Sequence, residues 1–300
     1  MIRAGKAIAV GLLFGTLGAG LVANAAGPRV VIGRSSDLGP YVALEKAFAG
    51  ALGMPVESVS LAAADGKQKL KAALDSGATL MLAIGPDAAR AVSEIKPSCP
   101  TVLTLVPDAG KTGLDSATPL VPMFVPPSRQ VKVVRAALPG AKKLGILFDP
   151  ALSRALVAEC EGAARAAGLT LVKREVASRK DVAAAARDLV GEVDAIWLVP
   201  DTTVISGESF KFIMLTALGA KVPVVGFSEG MSKAGAVVSV EAEYGEMGTK
   251  AAKVAQKIIA GLPGSPEAPD GAIYVNAKSA GLIGLTVPAE LRAQAARVFE

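Results

Sequence analysis

The sequence predicts an α/β protein built as two doubly wound parallel-sheet lobes, and three observations predict it. From Arg29 onward, short apolar runs alternate with amphipathic, alanine-rich segments, the pattern of βαβ units whose strands are buried on both faces. The series breaks once, at the double proline Pro126-Pro127, and then restarts. The 300-residue length also exceeds what one hydrophobic core usually supports and fits two.

The first element expected is an export segment. Arg3 and Lys6 form a basic start, 7–22 is an apolar run rich in Gly and Ala, and Ala23-Asn24-Ala25 offers the small-x-small cleavage pattern before Ala26. Residues 1–25 therefore read as a removable signal peptide. An uncleaved anchor needs about 20 strongly apolar residues, and this run is shorter and weakened by glycine. The two cysteines are Cys99 and Cys160, so none follows the apolar run to carry a lipid. The expected location is periplasmic, with no membrane span left after cleavage, and the expected state is a monomer.

Strands are expected at 30–33, 56–61, 79–84, 101–106 and 120–124, because each is a short apolar run bounded by turn-forming residues. Between them, apolar residues at three- and four-residue spacing predict helices at 41–52, 67–76 and 88–95. After the double proline come helix 128–137, strand 143–148, helix 152–167, strand 170–176 and helix 181–190. Strand 195–199, a helix with Thr202, Thr203 and Ser206 in its first turn, strand 222–226 and helix 245–261 follow. The Pro/Gly-rich stretch 261–271 is a loop by composition. Trp197 lies mid-strand and reads as core. Cys99 and Cys160 fall in different lobes and read as free thiols.

Several apolar runs end in the same chemistry: Gly85-Pro86-Asp87, Val106-Pro107-Asp108, Phe148-Asp149-Pro150 and Val199-Pro200-Asp201. Plain capping explains any one of them, since Asp accepts backbone N–H bonds and Pro suits the first helical position. Together they mark one edge, where strand C-termini and helix N-termini converge and polar small molecules bind.

The stretch from Val193 to Tyr244 carries a resemblance. Pro200-Asp201 after a strand, then Val222-Pro223-Val224-Val225, Lys233-Ala234-Gly235-Ala236, and Tyr244 with Gly248 occur in the order and spacing of the C-terminal half of a known family. The chain resembles the ABC transporter substrate-binding proteins with the type I periplasmic-binding-protein fold, in the branch related to tryptophan and aromatic amino-acid binders. That resemblance implies three crossovers between the lobes, the first at 122–127, the second entering helix 245–261 and the third near Ala272. The implied division is 26–124 plus about 241–266 for one lobe, and 125–240 plus about 267–300 for the other.

It also implies ligand contacts. In the first lobe these are Ser35, Ser36, Asp37 and Tyr41 after the first strand, and Gly85, Pro86 and Asp87 after the third; hydroxyls and backbone N–H groups there would suit a carboxylate. Phe124 lies on the first crossover. In the second lobe Asp149, Asp201 with Thr202 and Thr203, and Ser228 with Glu229 would supply acids for an ammonium group, so that Asp201→Ala would weaken binding without changing the melting of the ligand-free protein. The first loop, Arg34-Ser35-Ser36-Asp37-Leu38-Gly39-Pro40-Tyr41, departs from the family's usual polar loop containing Glu or His.

Composition excludes several classes. The chain has no histidine, so Ser-His-Asp and Cys-His catalysis and His-ligated metals are impossible within it. Neither a dinucleotide glycine fingerprint nor a cofactor site is read, and Ser93-Glu94-Ile95-Lys96 falls late in a helix without companion motifs. The net charge of +5 includes Arg3 and Lys6, aromatics are 4% and basic residues are dispersed, which argues against nucleic acid as a partner. The expected function is the periplasmic solute-binding component of an ABC importer, closing two lobes on a small polar or zwitterionic, amino-acid-like ligand and handing it to a permease driven by an ATPase. A ligand-sensing subunit for a receptor or kinase is the alternative, and a carboxylate-based secreted enzyme ranks behind both.

Overall fold

The computed structural model describes residues 27–107 and 109–300, and the expected signal peptide lies outside them. The first sheet forms from β1 (Val30–Arg34), β2 (Val56–Ser60), β3 (Leu80–Ile84), β4 (Thr101–Thr104) and β5 (Leu120–Val121). Between these strands run α1 (Gly39–Leu52), α2 (Gly66–Asp75) and α3 (Pro86–Ile95). The order is β2-β1-β3-β4-β5 with every pair parallel. β3 is buried along its whole length because helices cover both faces, which is why it reads as an unbroken apolar run.

The second sheet follows α4 (Pro127–Ala137) and contains β6 (Lys143–Phe148), α5 (Pro150–Ala166), β7 (Thr170–Glu175), α6 (Val182–Val190), β8 (Ala195–Trp197), α7 (Gly207–Gly219), β9 (Val224–Gly226), α8 (Glu229–Lys233) and β10 (Val238–Glu241). After α9 (Tyr244–Ile259), the chain ends in β11 (Ala272–Asn276), α10 (Ala277–Leu282), α11 (Ala289–Gln294) and β12 (Arg297–Phe299). The order is β12-β11-β10-β9-β8-β6-β7, parallel throughout except for the β10–β11 pair. The architecture is the expected one of two parallel-sheet α/β lobes. Among the described residues, no helix is long and apolar enough to cross a membrane.

Among the expected elements whose bounds differ, three have a clear local cause. β4 stops at Thr104 because Leu105 turns to φ 54, a left-handed conformation that breaks the ladder. β5 stops at Val121 because Pro122 has no N–H to donate. Thr202 and Thr203 stand before α7 rather than in its first turn, since Ser206 is the N-cap and forms a capping box with Ser209.

The chain passes between the sheets three times, after Val121, after Glu241 and before Ala272. α9 lies on α1, and Met247, Ala251, Val254 and Ala255 complete the core around Val30, Ile32 and Leu82. Gly248 permits this approach, since a Cβ there would stand 2.3 Å from the Leu44 carbonyl oxygen.

The crossings also touch one another. A Cβ on Gly271 would lie 2.4 Å from Val125 and 2.9 Å from Val240, so the third crossing threads between the first and second. The Glu246 carboxylate on α9 accepts the N–H groups of Asp270 and Gly271, while the Asp270 side chain pairs with Lys250 of α9 and Arg129 of α4.

Both cysteines are free thiols, as expected. Burial, reinforced by the Glu159 charge, pushes the Cys160 thiol up to about 12. Folded protein treated with iodoacetamide at pH 8 should therefore be labelled slowly at Cys99 and not at Cys160, read by peptide mass spectrometry. Rapid labelling of Cys160 before denaturant is added would mean that α5 opens locally.

Candidate ligand-binding site

The C-terminal ends of both sheets face the junction of the lobes. In the first lobe, the Ser35 N–H donates to the Ile84 carbonyl (2.9 Å), and the Ser35 hydroxyl accepts the Ala88 N–H at the start of α3 (2.8 Å). Gly85 at φ +93 makes this fit possible. A Cβ there would sit 2.6 Å from the Tyr41 ring and 2.7 Å from the Ser35 hydroxyl, so Ser35, Tyr41, Gly85 and Pro86 come together as one wall.

The charges of that wall are already engaged. Arg34 pairs with Glu45 and, at 2.6 Å, with Asp37, whose carboxyl it holds below the usual value. Asp87 faces Arg90 within α3, and the Ser36 hydroxyl accepts the Leu38 N–H.

In the second lobe the loops after β6 and β8 lock onto each other. Asp149 caps α5 by accepting the Ala151 N–H, and its second oxygen accepts the Thr203 hydroxyl, each at 2.8 Å. Asp201, only 2% exposed, accepts the N–H groups of Asp149 (2.8 Å), Thr203 (2.9 Å) and Val204 (3.1 Å). These carboxylates hold backbone, as N-caps do. Thr202 is exposed, and its carbonyl accepts from Arg179. Ser228 caps α8, and Glu229 pairs with Arg297.

Two adjoining cavities open where the lobes meet, and both are walled by Met123, Phe124 and Val125. The larger, about 400 Å³, lies between Val106 and Pro107 after β4 and Leu152, Ser153 and Pro200 of the second lobe. The smaller, about 200 Å³, lies between Leu105 and the group Phe227, Ser228, Glu241 and Tyr244. The Phe124 and Phe227 rings meet edge to face with centroids 6.1 Å apart and planes at 86°. A roomier hollow of about 590 Å³ sits at the opposite, N-terminal edge of the second sheet beside Leu138 and Pro223, away from the strand ends that form the cleft.

Of the candidates read from sequence, Phe124 and Ser228 line these cavities. Ser35, Ser36, Asp37, Tyr41, Gly85, Pro86, Asp87, Asp149, Asp201, Thr202, Thr203 and Glu229 do not. Sequence reasoning missed Leu105, Gln130 and Glu241. Glu241 had a usable signal, because it is the first acid after the apolar run of β10.

Gln130 had none, since its role comes from a distant partner. The buried Trp197 donates its indole N–H to the Gln130 side-chain oxygen (2.9 Å), and the Gln130 amide donates to the Val125 carbonyl (2.7 Å). Trp197 is core, as expected, and its polar end anchors the first crossing to the second sheet.

A protein-family model described as ABC transporter substrate binding protein matches residues 68–299. A tyrosine-binding protein of Clostridioides difficile (strain R20291) is 22% identical over 191 residues, which cover 61% of this chain and 55% of that protein. The match thus spans little more than half of that relative's length. Among solved structures, the ligand-free, open form of a substrate binding protein with adhesive properties from Clostridium difficile superposes with TM-score 0.70 at 20% identity, over 87% of this chain and 96% of that one. The ABC domain in complex with L-Trp from Streptococcus pneumonia gives 0.57 at 20% identity, over 91% and 100%. The structures speak for the fold, and the family model covers most of the sequence. The chain belongs to the ABC transporter substrate binding protein family.

Proposed function

We propose that this protein is the periplasmic solute-binding component of an ABC importer, which holds a small polar or zwitterionic, amino-acid-like ligand between its lobes by hinge closure. The observation that carries the reading is the position of Phe124. It sits on the first crossing, walls both cleft cavities and touches Phe227 at the end of β9, so a ligand there contacts the hinge and both lobes together. Such a ligand shifts the population toward the closed form by its differential contacts. The tyrosine-binding relative and the L-Trp-bound neighbour support an amino-acid-like cargo. Catalysis is not proposed, since the carboxylates of Asp149 and Asp201 are consumed in backbone and hydroxyl bonds. A monomer would present the closed lobes to a permease, and the ATPase would supply the energy.

The test is thermal unfolding of residues 26–300, refolded free of ligand, against amino acids, carboxylates, sugars, nucleosides and polyamines. A ligand at a hundredfold excess over its dissociation constant adds about 2.7 kcal/mol, which for a chain of this size raises the Tm by several degrees. A shift confined to amino-acid-like solutes recovered unchanged supports the reading. A shift given by sugars or nucleosides would name a different cargo, and chemical turnover would remove the purely binding role.

A further inference from the structure

We infer that the smaller cleft cavity is a subsite for a protonated or methylated amine, and that the ligand is held as an organic cation whose carboxylate, where it has one, is dispensable. The inference rests on the solute-binding reading and names the chemistry of that same cleft. Phe124 and Phe227 stand perpendicular and form two walls of the cavity, while Tyr244, 40% exposed, and Glu241 complete it. Aromatic faces carry negative charge density and attract ammonium groups, most strongly where water is displaced.

The charge inventory points the same way. Glu241 uses one oxygen to accept the Glu229 N–H at 2.7 Å, and its other oxygen has no hydrogen bond or ion pair among the described residues. Glu229 pairs with Arg297 and Glu243 receives the Tyr274 hydroxyl, whereas no cation among the described residues pairs with Glu241. Burial, with the charges of Glu243, Glu241 and Glu229, pushes the Tyr274 phenol up to about 12, which agrees with a negative potential at this end of the cleft.

A ligand carboxylate finds hydroxyl donors in Ser153 and Ser228 but no cation among the described residues. Among the described residues, neither cavity is lined by lysine or arginine. Arg34, at the wall formed by Ser35 and Tyr41, is shared between Glu45 and Asp37. An ammonium group therefore sits against Glu241 in the space of about 200 Å³, and the body of the ligand extends past Phe124 into the space of about 400 Å³.

The experiment uses three probes with one ring, tyramine, L-tyrosine and 3-(4-hydroxyphenyl)propionate, together with choline, in calorimetry and melting of the intact binding protein. Tyramine is expected to bind at least as tightly as L-tyrosine, and removal of the amine to lose tenfold or more. Glu241→Gln should weaken tyramine and choline tenfold or more, while its amide oxygen still accepts the Glu229 N–H and preserves the fold. Phe227→Leu, which keeps apolar bulk but removes the ring face, should weaken them severalfold. Tight binding of the propionate, binding of L-tyrosine without tyramine, or affinities untouched by Glu241→Gln would each overturn the cation subsite and leave solute binding standing. Binding confined to sugars or nucleosides would do the same. No response to these probes or to the wider solute panel would sink both readings.

Discussion

Replacing Asp201 by alanine is expected to lower the folding stability of the ligand-free protein by about 3 kcal/mol or more, and its Tm by several degrees. The carboxylate is 2% exposed and accepts three backbone N–H groups, from Asp149, Thr203 and Val204. Alanine would leave those donors without their acceptor in a place that water reaches poorly, and each such loss carries a desolvation penalty. Asp201→Asn keeps one side-chain oxygen for the Thr203 and Val204 donors but turns an amide N–H₂ toward the Asp149 N–H, so its loss should be smaller. Because Pro200 lines the larger cavity, ligand affinity should fall together with stability in the alanine variant. Urea unfolding and calorimetry on the same preparations separate the cases. Affinity lost at unchanged melting would favour Asp201 as a direct ligand contact, the role the family resemblance implied.

The two roles open to Asp201, cap and ligand contact, show where the sequence stops being readable. A buried parallel strand announces itself as an apolar run, so β3 and β6 stand almost where the pattern put them. Pro126-Pro127 marks the first crossing because proline punctuates locally. The Pro/Gly-rich stretch 261–271 marks the loop that carries the third crossing, whereas the second leaves no such mark. α9 reads as an ordinary amphipathic helix, and its return to the first sheet shows only in space, in its packing on α1 and the approach of Gly248 to the Leu44 carbonyl. Local spacing likewise revealed Asp149 and Asp201 as residues at strand ends, and capping was among their readings. It did not reveal that each reaches the other's loop, because that bond joins groups 52 residues apart. The Phe124–Phe227 pair that walls the cleft is equally non-local. Strand ends misjudged by a residue or two, as at Leu105, follow from a backbone turn that a leucine does not advertise.

The second large effect concerns the meeting of the crossings. Gly271→Ala is expected to cost about 2–5 kcal/mol, since φ +84 is strained for any side chain by about 1–2 kcal/mol and forced overpacking adds about 1–3. Gly53→Ala supplies the comparison, because Gly53 has φ +71 with nothing within 4 Å of its added Cβ and so carries the backbone strain alone. The excess loss in Gly271→Ala measures the contact with Val125 and Val240. Adding Val125→Ala removes the methyl group 2.4 Å away, so the double variant should recover part of that excess as a coupling energy. Ligand affinity should track the excess and not the strain, since Val125 borders both cavities and its carbonyl is the acceptor that ties the crossing, through Gln130, to Trp197. Equal losses at Gly271 and Gly53 would mean that the crossings slide past one another without contact, and the hinge would then have to be sought in the individual segments.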